Sequence, residues 1–151
     1  MAMTMSDQIQ LAAPREIVWK KLNDPEVLKS CIPGCEELER TEDNGFRAVA
    51  KIKVGPVSAR FKGRVTLSEF DPPNSYKISG DGDGGIAGFA KGAATVRLID
   101  KDGGTLLSYD VESQIGGKLA QLGQRLINGT AKKLADQFFS GFARTLQGSE
   151  E

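Results

Sequence analysis

The sequence predicts an α+β fold: a curved antiparallel sheet of about seven strands wrapped around a long C-terminal helix, with two short helices after the first strand. Three observations predict it. From about 36 to 115, apolar and polar residues alternate between short turn signals. From 118 the period changes to three and four residues and stays helical to about 146. Only a sheet of that size offers an apolar surface broad enough to receive such a helix. Residues 1–151 read as a single domain, the usual outcome for a chain of this length.

The elements follow in order. Residues 6–13 alternate and read as the first strand. Pro14 suits the first turn of a helix, where its missing N–H has no partner in any case. Ile17, Val18 and Leu22 give that helix an apolar side, with Trp19 flanking it. Asn23-Asp24-Pro25 ends it and opens a second short helix through Leu28, and Cys31-Ile32-Pro33-Gly34-Cys35 is a turn. Strands are predicted at about 36–41, 45–54, 57–70, 75–80, 86–99 and 105–115. Asp43-Asn44-Gly45, Gly55-Pro56, Asp71-Pro72-Pro73-Asn74, a glycine-rich stretch near 80–85 and Asp102-Gly103-Gly104 separate them. In the terminal helix Leu119, Leu122, Leu126, Leu134, Phe138, Phe142 and Leu146 form a stripe, widened by Ile127, Ala131, Ala135 and Phe139. That stripe should be largely buried. Gly129, within it, marks a bend or a close approach.

The Gly55-Pro56 turn fixes a register. With Val54 opposite Val57, Ile52 faces Ala59, Ala50 faces Phe61, Ala48 faces Gly63 and Phe46 faces Val65. This face is uncharged and should point inward; a slip of one residue would bury the basic side chains of the other face. Ile86, Gly88, Ala90, Gly92, Ala94, Val96 and Leu98 form the uncharged face of another strand. The inner wall is therefore poor in volume. Either the small residues let the helix approach the sheet, or they leave a hollow fit for an apolar ligand. For the hollow, the candidate ligand-contacting residues are Ala48, Ala50, Phe61, Gly63, Ile78, Gly88, Phe89, Ala90, Val96 and Tyr109 on the sheet, and Leu119, Leu122, Leu126 and Phe138 on the helix. Phe89, on the outward parity beside the glycine-rich stretch, would act as a flap. Tyr76 and Tyr109 fall on inward positions, as core aromatics or as hydroxyls within a pocket. The outward face carries Arg47, Lys51, Lys53, Arg60, Lys62 and Arg64, with no acidic residue between 47 and 64. It is either a solvated face or a ridge for an acidic partner or anionic lipid headgroups.

Composition removes several function classes. Twenty acidic and twenty basic residues cancel, which argues against a nucleic-acid partner. No histidine is present, so histidine-based catalysis and metal binding are excluded. Two cysteines make neither a disulfide framework nor a zinc site, and Cys31 and Cys35 read as structural thiols. No apolar run is long enough to span a membrane, and the start lacks a signal pattern, so a cytoplasmic location is expected. Gly80-Asp81-Gly82-Asp83-Gly84-Gly85 matches a dinucleotide fingerprint in form only. A strand pattern follows it, not the helix N-terminus the pyrophosphate needs, so a flexible hairpin loop with bulges is expected. Asn128-Gly129-Thr130 matches a glycosylation acceptor but lies inside the predicted helix. No catalytic constellation emerges.

Four segments carry a resemblance: Cys31-Ile32-Pro33-Gly34-Cys35, Lys53-Val54-Gly55-Pro56-Val57, Gly85-Ile86-Ala87-Gly88-Phe89-Ala90 and Gly116-Gly117-Lys118-Leu119-Ala120-Gln121-Leu122-Gly123, with Phe138-Phe139 fitting as well. They resemble the CoxG family, named for a carbon monoxide dehydrogenase subunit and part of the START-like, helix-grip superfamily, over essentially the whole chain. The resemblance implies a deep hydrophobic pocket and a non-catalytic accessory protein of a molybdenum hydroxylase. It further implies a quinone as bound ligand, with no resident cofactor and no metal, and recruitment of the dehydrogenase to the membrane. Longer members continue into a membrane anchor. This chain stops at Glu151, so a soluble shuttle or a peripheral contact at the inner face of the membrane is expected. Two alternatives stand: an enzyme of cyclase or hydrolase type acting on an apolar small molecule, and an adaptor with a filled core.

Overall fold

The computed structural model describes residues 1–148. Strands β1 (Ala2–Leu11), β2 (Cys35–Thr41), β3 (Gly45–Val54), β4 (Val57–Asp71), β5 (Ser75–Asp83), β6 (Phe89–Lys101) and β7 (Gly104–Gly116) form one antiparallel sheet in the order β1-β7-β6-β5-β4-β3-β2. Helices α1 (Arg15–Leu22) and α2 (Pro25–Cys31) follow β1; α3 (Lys118–Gln121) and α4 (Gln124–Gly148) follow β7. This is the predicted helix-grip arrangement. The β3–β4 register is the predicted one, pair for pair from Val54–Val57 to Phe46–Val65.

Local chemistry accounts for the helix starts. Pro14 stands at the N-cap of α1 rather than inside it, and its carbonyl accepts from the N–H groups of Ile17 and Val18. The Asp24 carboxylate accepts from the Glu26 N–H at 2.9 Å, and Pro25 follows it as the first residue of α2, where no N–H is missed. The Thr105 hydroxyl, fully buried, donates to the Ala13 carbonyl at 2.7 Å and ties the start of β7 to the β1–α1 link.

The structure corrects three boundaries. First, β1 begins at Ala2, not residue 6: Met3 and Met5 point inward with Ile9 and Leu11, and the Met1 ammonium donates to the Ile115 carbonyl. Second, Gly80–Asp83 is not a hairpin loop. It belongs to β5 and pairs on both sides, and the turn is confined to residues 84–88, with a single 3₁₀ turn at Gly85–Ala87. Gly80 and Gly92 face each other across β5 and β6. A β-carbon on Gly80 would stand 2.5 Å from the Arg64 carbonyl oxygen, and one on Gly92 2.0 Å from that of Glu112, so the strands cross there more closely than any side chain allows. Third, the terminal helix is broken at Leu122-Gly123. Gly123 takes φ +93°, outside the helical region, and α4 starts afresh behind it. Gly129 is an ordinary helical residue. The close approach lies at Gly141, where a β-carbon would stand 3.6 Å from Cys31 Cα.

Two apolar clusters join sheet and helices. The larger packs Leu11, Val18, Leu107, Phe142 and Leu146 beneath α1 and the end of α4; the smaller packs Met3, Val54, Ile115, Leu119 and Ile127 at the other end. Each fully buried leucine or phenylalanine contributes about 1.5–3 kcal/mol by transfer from water. Between the clusters the stripe is not largely buried, as the periodicity predicts. Leu134, Ala135, Phe138 and Phe139 are only half-buried, and the last three of them border unfilled space beneath α4.

Candidate ligand cavity

That space is a cavity of about 380 Å³. Its sheet wall is built in register: Ala48 faces Gly63 across β3 and β4, and Ile78 faces Ala94 across β5 and β6. These small side chains leave a hollow instead of drawing the helix onto the sheet. Met5, Phe46, Val65, Leu67, Val96, Leu107 and Val111 complete the sheet side. Leu22 from α1, Leu28 from α2, Ile32 beyond it and Leu38 from β2 close one flank, and Ala135, Phe138 and Phe139 of α4 form the roof. Arg40 fastens this flank: its guanidinium lies 5.0 Å from the centre of the Phe46 ring and donates to the Asn23 carbonyl between α1 and α2.

Among the described residues, only two lining side chains carry an oxygen or nitrogen atom, Tyr76 and Tyr109. Tyr76 is 4% exposed. Its ring meets Trp19 edge-on at 5.1 Å and stacks with Phe70 at 6.5 Å, a three-ring plug at one end of the sheet. Burial holds its hydroxyl pKa well above the usual tyrosine value. Tyr109 stacks on Phe139 at 5.4 Å. Its pKa is also raised, first by desolvation and then by the carboxylates of Asp7 and Asp136. Lys132 sits between those two carboxylates, at 3.5 and 3.4 Å. Neither tyrosine hydroxyl has a hydrogen-bond partner among the described residues. Thr105, the other fully inward hydroxyl, is already engaged with Ala13.

Of the candidate ligand residues, the structure brings Ala48, Gly63, Ile78, Val96, Tyr109 and Phe138 together in this wall. It places the other eight elsewhere. Phe61, Ala90, Leu119, Leu122 and Leu126 belong to the smaller cluster, and Ala50, opposite Phe61, is buried outside the lining. They share the inward face, but past the Gly80–Gly92 pair that face meets α3 and the start of α4. Gly88 packs against Gly116 and Gly117 at the β5–β6 turn, and the Phe89 ring lies over Gly116, 48% exposed. Ile86, expected inward, is 86% exposed on the 3₁₀ turn. Sequence reasoning missed the contribution of α1, α2 and β2. The spacing of Leu28 and Ile32, one helical turn apart, was the signal for that flank.

Arg47, Lys51, Lys53, Arg60, Lys62 and Arg64 are all exposed. Among the described residues only Arg60 of the six forms an ion pair, with Glu36 at 2.8 Å, which holds that carboxyl below its ordinary value. The neighbouring strands place acids opposite three of the others: Glu39 faces Arg47, Asp81 faces Arg64 and Asp83 faces Lys62. The face is thus mixed in charge. A larger, shallow depression of about 750 Å³ also lies on the solvent side of the sheet; Arg64, Asp81, Lys91 and Glu112 line it, so it suits no apolar molecule. The two cysteines are free, and burial pushes the Cys35 thiol up, away from a reactive thiolate.

A conserved protein from Geobacillus kaustophilus is similar to this chain at a TM-score of 0.92 and 32% identity, over 97% of each chain. The Zhui aromatase/cyclase from a Streptomyces species gives 0.72 at 12% identity, over 100% of this chain and 97% of its own. A START superfamily protein from Mycobacterium smegmatis gives 0.71 at 14%, over 96% and 97%. At those lower identities the likeness is one of fold. No curated protein sequence matches the chain. The family model of CoxG, a carbon monoxide dehydrogenase subunit, matches residues 8–147, from β1 to the last turn of α4. The chain belongs to the CoxG family and has its START-like, helix-grip fold.

Proposed function

We propose that the protein is a non-catalytic accessory of a molybdenum hydroxylase of the carbon monoxide dehydrogenase type, and that it carries a quinone or similar lipophilic molecule beneath α4. The observation that carries this reading is the cavity: about 380 Å³, walled by aliphatic and aromatic side chains and two tyrosine hydroxyls. Such a wall binds by apolar burial, about 25 cal/mol per Å² removed from water. Family membership supports the dehydrogenase as partner.

An enzyme of cyclase type shares the fold. That reading needs acid and base groups converging on the substrate. The wall offers only two tyrosines, both with pKa values pushed away from neutrality, which favours the carrier. No described helix is long and apolar enough to cross a membrane, and the membrane contact proposed is a peripheral one. Lys51 and Lys53 on the basic hairpin, and the exposed Ile86 and Phe89, would make that contact.

Organic extraction of the purified protein followed by mass spectrometry tests the carrier. A prenylated quinone is expected from the wild type and none from Ala48→Phe, which fills the cavity. An extract free of apolar molecules, from a protein that also takes up no added quinone, would overturn the reading.

A further inference from the structure

We infer that Tyr76 is the polar anchor of the ligand, its hydroxyl donating to a carbonyl oxygen of a neutral apolar molecule whose oxygen-bearing end lies toward the Trp19–Phe70 plug. The inference rests on the cavity being the ligand site. Tyr76 lines that cavity, is nine-tenths buried or more, and donates to no group among the described residues. The Tyr76 side chain is buried, but its unpaired hydroxyl keeps accessible surface, since no fully buried side-chain oxygen or nitrogen among the described residues lacks a partner; an acceptor brought by the ligand gives that oxygen the hydrogen bond the fold does not. Contact with two rings fixes the phenol, so little freedom is lost when the bond forms.

The wall around Tyr76 also selects against charge. Leu67, Val96 and Leu107 supply no cation to pair with a carboxylate. At Tyr109 the nearby charges are Asp7 of β1 with Lys132 and Asp136 of α4, a cluster whose single ammonium is already shared by two carboxylates. An acid headgroup is therefore unwelcome at either tyrosine. A phenol donates to a carbonyl and equally accepts from a hydroxyl, so the same anchor holds both the oxidised and the reduced form of a two-electron carrier.

Binding of a saturated ketone, its chain-matched carboxylate and the matched hydrocarbon to the full chain tests this. Wild type is expected to prefer the ketone and to bind the carboxylate least. Tyr76→Phe should weaken the ketone roughly three- to tenfold, the worth of one hydrogen bond, and leave the hydrocarbon unchanged. The infrared carbonyl band of an isotope-labelled ketone on the wild type gives a second readout, independent of how the variant folds: a downward shift marks the donated bond. An unshifted band, or equal ketone affinity with and without the hydroxyl, overturns the anchor while leaving the carrier intact. Failure of all three probes to bind overturns the carrier reading instead.

Discussion

The N–H of Lys51 donates to the Gly34 carbonyl at 2.9 Å, and a β-carbon on Gly34 would stand only 2.1 Å from the Lys51 carbonyl oxygen. Gly34 holds φ +74°, so the turn between α2 and β2 is pinned against β3 at a point where only glycine fits. Gly34→Ala should destabilise the protein by about 2–4 kcal/mol, from the left-handed backbone and the clash together. Chemical denaturation of the variant measures this; a change below about 1 kcal/mol would mean that the turn shifts freely.

Bulk added inside and outside the cavity should separate binding from stability. Ala48→Phe points into the hollow and should keep the melting temperature while abolishing ligand retention. Ala50→Trp enters packed core next to Phe61 and should cost about 1–3 kcal/mol. Paired thermal melts and extractions give the comparison.

Along α4, truncations should differ sharply. Phe142 is wholly buried, and Phe142→Ala should cost about 3–5 kcal/mol. Leu134 is half-buried and belongs to neither apolar cluster, so Leu134→Ala should cost about 1 kcal/mol or less. Urea midpoints of the two variants check the contrast.

Charge reversal on the hairpin tests docking. Lys51 faces Arg60, so Lys51→Glu with Lys53→Glu should leave stability within about 0.5 kcal/mol of wild type. Binding to the dehydrogenase or to anionic vesicles should fall, and the gap should close as salt rises. Binding unchanged at all salt concentrations would assign the ridge to solvent.

The raised pKa of Tyr76 makes a statement about alkaline stability. Its folded value lies above the unfolded one, so the folded state holds the proton more tightly. The stabilisation is complete below the unfolded pKa of about 10 and is lost as pH rises from there toward the folded value. Tyr76→Phe keeps the ring contacts and cannot ionise. Its melting temperature should fall less steeply above about pH 10 than that of wild type.

The β3–β4 register was legible because its two faces differ so completely: Arg47, Lys51 and Lys53 alternate with Ala48, Ala50 and Ile52, and no slip leaves the charges in water. The inward places of Tyr76 and Tyr109 were legible by the same parity. Parity names a face, however, and not a position along it. Phe61 and Ala90 share the face of Gly63 and Ala94 yet pack with α3 and the start of α4, helices whose place over the sheet no strand pattern records. The break at Gly123 was hidden because the apolar period continues across it, from Leu119 and Leu122 to Leu126. The flank of Leu22, Leu28 and Ile32 was hidden because nothing local to those helices says which part of the sheet they cover.

The Gly80–Gly92 pair across β5 and β6 separates two properties of the proposed carrier. Wall chemistry resides in side chains such as Ala48, Tyr76 and Phe138. The spacing of the strands behind that wall rests on backbone positions instead: at Gly80 and Gly92 a β-carbon would strike the neighbouring strand. A β-carbon at either one would force the strands apart. In the proposed carrier, the room for cargo would therefore change with residues that line no part of the cavity, while the chemistry of its wall would stay as it is.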